Sequence, residues 1–404
     1  MAQNFFNALG MADLEKVHSQ FIYWFFNLDS GIVTDKEKDM LLRKFLGDNM
    51  PTTTQEGFKA ETEKENIDII IRASDDVFII ENKLKSSEHD KQTLKYDGVF
   101  SELQKKERET YGKYEEKQIH KIYLTLIGEK PENSKWVAKT YFDLAEAFKD
   151  VVTKMSNQKS DEYTFIKVYS ACITELSEKY SSFIKNPENK EYKNVFAEKQ
   201  PKGEKAPGFI TENGLETIFQ KGFLMQVKEK FEKVYKDTSS NIEIQAGNNG
   251  NASSFTITFP KPRLDKNGNK YVFDFQYQGG TCKIAYAIEK YADYKTEASK
   301  NNYKTKSEKR KAVAAEVQNK IEKEIDVFKR IAKSTDGYKC DKSNMPKSKE
   351  RISMSNNTVL QSYQGCITAD DFCKKLGEEF ENARRIIEKL KNEILQISGI
   401  TELP

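Results

Sequence analysis

The 404-residue chain is short of the features that staple, anchor or energise many proteins. Its five cysteines, Cys172, Cys282, Cys340, Cys366 and Cys373, are odd in number and form no CxxC pair. That argues against a disulfide framework and a zinc ribbon, and makes a reducing cytoplasm the expected compartment. Long apolar runs are missing: the longest, Phe21 to Phe26, is far below the ~20 residues of a spanning helix, which excludes a membrane protein. The opening MAQNFFNALGMADLEK has neither a positive n-region nor an apolar h-region, so no secretory signal is expected. There is no GxxxxGK[ST] loop and no GxGxxG after a strand, so ATP or dinucleotide use is not indicated. Nothing resembles a serine or cysteine nucleophile motif, and no internal repeat is found.

What is present suffices for two globular units. Hydrophobic residues make up 37% and aromatics 11%, recurring throughout, which argues against wholesale disorder despite 32% charged residues. The net charge of +3 hides an asymmetry. Residues 1–190 carry 28 Lys and Arg against 33 Asp and Glu, and the remainder 38 against 30. A basic second half suits a polyanionic partner, although many lysine-rich proteins share it.

Apolar residues at three- and four-residue steps predict a helix over 11–27, and a second follows at 35–48, stopping near Gly47. Strands are expected at 57–61, 67–72, 77–83 and 121–127, with a long helix at 86–107 opened by Ser86 and Ser87. Helices are expected at about 140–155 and 161–182. Strands joined by a crossover helix make this half an α/β unit, a mixed sheet flanked by helices over residues 1–185. Residues 186–209 lack periodicity and hold three of the nine prolines, the pattern of a linker. Residues 210–404 read as an α+β domain. It has helices at 211–236, 305–333 and 368–397, strands at 241–246 and 253–259, and turns at Asn267-Gly268 and Gly279-Gly280 flanking KYVFDFQYQ and leading into TCKIAYAIE.

The chemistry is concentrated in IDIIIRASDDVFIIENKLK, residues 67–85. A hairpin turning at Ser74-Asp75 places Arg72 opposite Val77 and Asp68 opposite Glu81, with their Cβ atoms about 5 Å apart. Lys83 shares the Glu81 face and Asn82 points away. Like charges set opposite each other beside a core need an offset. Mg²⁺, for which Mn²⁺ can substitute, would provide it through Asp68, Glu81 and the Asn82 backbone carbonyl. Lys83 would orient water or neutralise charge developing on a scissile phosphate. An ordinary exposed hairpin face would show the same letters. Gln92 and Tyr96, four apart on the next helix, project from one face towards this end of the sheet, and Lys85, Lys91 and Lys95 add positive charge. Gln92 and Tyr96 also fit a polar pair on a solvated face.

The order helix-Glu, Asp, Glu-x-Lys, Gln-x-x-x-Tyr resembles the PD-(D/E)XK nuclease superfamily, in particular the branch whose core is like the RecB nuclease domain. LEKVHSQFIYWFFN is similar to the opening helix of a bacterial subfamily of stand-alone nucleases, covering with the rest about residues 10–185. The resemblance implies a restriction-endonuclease-like sheet. It implies Glu15, Asp68 and Glu81 as metal ligands, Lys83 as the catalytic lysine, and Gln92 and Tyr96 as residues supporting the site and contacting nucleic acid. Ile67 stands where the signature has proline. The implied activity is Mg²⁺-dependent phosphodiester hydrolysis, with DNA ahead of RNA as the substrate, a part in restriction or phage defence, and a homodimer open to it. A nuclease-fold module that binds nucleic acid or protein without cutting, and an RNA-directed nuclease, are the alternatives.

His18, three residues after Glu15, would touch a ligand carboxylate or a phosphate, or else pack at the edge of an aromatic helix. A lone Glu-x-x-His does not support a di-iron bundle. His89 and His120 read as surface residues. In the second half Lys304, Lys309 and Arg310 belong to a basic cluster downstream of several tyrosines, fit to hold a phosphate backbone or to line a solvated helix.

Overall fold

In the computed structural model the chain divides into two compact units, residues 1–186 with 201–219, and residues 187–200 with 220–404. The structure describes residues 5–8, 14–64, 67–74, 76–84, 93–94, 96, 118–195, 208–236, 241–247, 252–259, 263–264, 270–289, 308, 324–335, 338–340, 351–356, 367–398 and 401–402. Among them no helix is long and apolar enough to cross a membrane.

The first unit is built on a five-stranded mixed sheet ordered β1 (Lys59–Lys64), β2 (Ile67–Arg72), β3 (Asp76–Lys83), β4 (Gln118–Thr125), β5 (Val137–Thr140). The first three strands are antiparallel neighbours, and β4 and β5 run parallel to β3. Every residue of β3 is buried, as expected of a strand covered on both faces. A short helix, α1 (Phe5–Ala8), precedes α2 (Glu15–Asn27), which lies against β1, β2 and β3. Then come α3 (Asp35–Leu46), α4 (Tyr141–Lys154) and α5 (Asp161–Lys185), with α4 packed between α3 and α5. Caps fix where two of them begin. Thr34 and Glu37 form a capping box at α3, and Thr140 and Asp143 another at α4.

Aromatic rings make the helical core. Phe21 stacks on Tyr169 with centroids 3.7 Å apart, and Phe148 sets its edge against Phe21, Phe25 and Tyr169. A further cluster joins Ile67, Ile70, Val77, Ile79 and Tyr123 to Tyr96 and Trp136. Of the helix expected at 86–107, Thr93, Leu94 and Tyr96 are described and are helical. Thr93 anchors them: its carbonyl accepts from Asn133 Nδ2 (3.1 Å) and Trp136 Nε1 (3.2 Å), and its Oγ1 from the Asn133 amide (3.2 Å).

The second unit is an antiparallel sheet. Its main path runs β11 (Tyr338–Cys340), β12 (Arg351–Asn356), β10 (Thr281–Glu289), β9 (Lys270–Gln278), β7 (Ser254–Thr258), β6 (Ile242–Gln245). The short β8 (Arg263–Leu264) joins β9 to β13 (Thr401–Glu402). Gly279 and Gly280, with φ of 54° and 77°, turn β9 into β10 as a two-residue hairpin loop demands. A four-residue α6 (Phe209–Glu212) and the start of α7 (Glu216–Val234) belong to the first unit, while α8 (Ala369–Ser398) of the second lies over β9 and β10. Phe380 of α8 meets the rings of Phe231, Phe259 and Phe275. The expected helix at 305–333 is described at 308 and 324–334.

Candidate active site

The hairpin register is the expected one, Arg72 opposite Val77 and, towards the open end, Ile69 opposite Ile80. One step further, the carboxylate of Asp68 reaches across: its Oδ2 accepts the Asn82 amide at 2.7 Å. On the β1 side, Thr62 pairs with Ile69 and Lys64 with Ile67, and Glu63 between them has a φ of 54°. Positive φ is uncommon for a residue with a Cβ. Lys16 holds Glu63 at 2.8 Å.

Glu81 is 1% exposed and Lys83 9%. Lys83 Nζ lies 2.7 Å from Glu81 Oε1. The Tyr96 hydroxyl is within hydrogen-bonding reach of the Glu81 carboxylate, yet Oε2 itself is buried without a partner of good geometry. Beside Lys83 in the parallel ladder, Thr125 also buries an unpartnered Oγ1. Such orphaned atoms are rare in native cores and call for an explanation.

Electrostatics ties these groups into one cluster. Burial, followed by the neighbouring Asp68, pushes Glu81 up to about 7, against the pull of Lys83. Burial also raises Asp68, where the Asn82 amide and Lys83 oppose it and Glu15 and Glu63 add repulsion. For Lys83, burial would lower the ammonium pKa, but Glu81, Asp68 and Glu15 outweigh it and hold it above its ordinary value. Glu15, Asp68, Glu81 and Lys83 are therefore brought together from α2, β2 and β3.

Among the described residues no three His, Cys, Asp or Glu side chains stand close enough to form a ready metal cage. The donors nevertheless suit a hard divalent ion in kind: two carboxylates kept from ionising freely, one with an orphaned oxygen, at the mouth of an apolar sheet.

Asn82 points away from Glu81, as alternation requires, and its carboxamide is fully engaged. Nδ2 donates to the Glu15 carbonyl (3.0 Å) and Ser19 Oγ (3.1 Å), and Oδ1 accepts from the Tyr141 hydroxyl (2.8 Å). Sequence reading had no means of pairing Asn82 with Tyr141, 59 residues away. It also missed Thr125, whose place is set only by the register of β4 on β3.

His18 takes the packed place, the second of its two readings. It is 1% exposed, with Nδ1 3.1 Å from the Tyr169 hydroxyl and its ring edge-on to Tyr141. It is a packed core histidine, and its burial leaves no surface for the phosphate contact expected of it. His120 is no bare surface residue either: Nε2 lies 2.7 Å from Asp76 Oδ1 and the ring stacks on Phe78, at the opposite end of β3. Lys85, Lys91, Gln92, Lys95, Lys304, Lys309, Arg310, His89 and Cys366 lie outside the described residues.

Half-buried Asp68, buried Glu81 and Lys83 lie at the end of the mixed sheet, within the stretch that the family comparison covers. Residues 3–196 match the family model of the PD-(D/E)XK nuclease superfamily. No curated protein and no solved structure matches the chain. Members of the superfamily are usually nucleases and typically use Mg²⁺ or a similar divalent ion.

Proposed function

We propose that the protein is a Mg²⁺-dependent nuclease that hydrolyses phosphodiester bonds, with DNA as its substrate. The observation that carries this reading is half-buried Asp68 beside buried Glu81, with Lys83 bonded to Glu81, in the stretch that matches a nuclease superfamily. Asp68 and Glu81 would hold the ion, with Glu15 and the Asn82 main-chain carbonyl as further oxygens. Mn²⁺ would substitute. Bound there, such an ion supplies the Lewis acidity that lets water attack a phosphodiester at neutral pH. Lys83 hydrogen-bonds the attacking water or a phosphate oxygen and neutralises charge as it develops in line with the leaving 3′ oxygen. Tyr96 steadies Glu81, and with Gln92 it supports the RecB-like assignment and the contact to nucleic acid. The second unit serves substrate engagement, target selection or dimerisation. A reducing cytoplasm is the proposed compartment, since the five cysteines are odd in number and form no CxxC pair, and restriction or phage defence is the role proposed for it.

The test is digestion of single- and double-stranded DNA and RNA side by side, with Mg²⁺ and with EDTA. DNA should be cut only with Mg²⁺. Lys83→Ala should slow cutting on the order of 10²- to 10³-fold, as removal of a charge-stabilising donor does. Glu81→Ala should abolish it. Robust cleavage by both variants refutes the assignment, and preferential RNA cleavage corrects the substrate.

A further inference from the structure

The side chain on the silent face of β3 bears on the site as well. The first turn of α2 carries Glu15, yet the helix has no capping side chain: Leu14 at its N-cap position makes no side-chain hydrogen bond. The Asn82 carboxamide ties that turn to β3, as Lys16 ties it to Glu63 on β1. The carboxamide donates to the Glu15 carbonyl and to Ser19 Oγ, and Ser19 Oγ in turn donates to the same carbonyl at 3.1 Å. Tyr141, the first residue of α4, closes the network on Oδ1. His18 sits edge-on to Tyr141 and bonds Tyr169, which backs the network with packed rings. A carboxamide suits this position, since it donates two bonds on one side and accepts one on the other.

We propose that Asn82 is a positioning residue whose side chain latches the start of α2 to β3 and so holds the Glu15 carboxylate beside Asp68 and Lys83. The inference rests on the metal-dependent nuclease reading. Asn82 joins the backbone that carries Glu81 and Lys83 to the backbone that carries Glu15, so the two halves of the donor set cannot drift apart. Groups that orient metal ligands without touching the metal are typically as consequential as this arrangement suggests.

The experiment is a double-mutant cycle read by Mn²⁺ binding to the full chain, by electron paramagnetic resonance or calorimetry. The variants are Asn82→Leu, which keeps the volume and removes the bonds, Glu15→Gln, and the two together. Asn82→Leu should weaken Mn²⁺ binding roughly 10- to 100-fold. In the Glu15→Gln background the same change should cost little more, because the residue it positions is already disabled. Tyr141→Phe, which removes one bond and leaves the fold intact, should weaken binding less and in the same sense. Full additivity, or Mn²⁺ affinity unchanged by Asn82→Leu and Tyr141→Phe while the wild type binds and cuts, overturns the latch alone. A wild-type chain that neither binds Mn²⁺ nor cuts nucleic acid overturns both the latch and the reading beneath it.

Discussion

Glu81 and Lys83 face each other at 2.7 Å in a setting that penalises charge on both. The acid loses that contest more than the base does. Glu81 is pushed to about 7 from an ordinary 4.5, and Asp68 is raised in the same direction. A folded state that keeps protons the unfolded chain has released is penalised as pH rises. Without divalent ions, the stability contributed by these two carboxyls is therefore present below about pH 4.5 and is lost as pH climbs towards 7. Thermal unfolding in EDTA should show a melting temperature falling across that window. Mg²⁺ should restore it increasingly at the alkaline end, because a ligand that binds only the ionised, folded site stabilises it. A melting temperature in EDTA that rises from pH 5 to 7.5 would contradict the desolvation of Glu81 beside Asp68. The Asp68–Glu81 pairing was legible from the hairpin arithmetic, since alternation and register are local rules. Which of its two readings His18 takes, and that Asn82 meets Tyr141, was not, because both contacts depend on tyrosines far away in sequence, Tyr169 and Tyr141.

Elements here are placed by their ends as much as by their middles. Losing the Thr140 cap by Thr140→Ala should cost about 1 kcal/mol, read in urea unfolding, and should also loosen Tyr141, the next residue, against Asn82. In the second unit Gly377 lies inside the long α8, where glycine is ordinarily unfavourable by about 1 kcal/mol relative to alanine. A Cβ there would come within 2.6 Å of the Tyr235 hydroxyl. Tyr235 cannot move aside freely, stacked on Phe231 and edge-on to Phe380. Gly377→Ala should accordingly destabilise the protein by about 1 kcal/mol, overpacking outweighing the helical gain; a stabilised variant would show that the ring yields. The strands and helices were mostly visible in advance because their patterns are periodic. Not expected were α1, β5, β8, β11, β12 and β13; β5, for one, is four residues whose place is given by pairing with β4 rather than by composition.

At the scale of the whole molecule, the superfamily match ends at residue 196, but the first unit does not. It regains residues 201–219, and Phe219 sets its ring against Tyr180 and Phe183 of α5, at 5.4 and 5.2 Å. Such aromatic pairs are each worth about 1 kcal/mol beyond the area they bury. A chain cut after residue 219 should thus melt higher than one cut after 196, and equal melting temperatures would make those contacts dispensable. Alternation and apolar spacing, which act over a few residues, were enough to set the sheet, most of its helices and the acidic pair with its lysine. Which buried polar groups meet across 59 or 151 residues, Asn82 with Tyr141 and His18 with Tyr169, was decided only by the packing of α2, α4 and α5 around the sheet, because long-range partners leave no periodic trace in the chain.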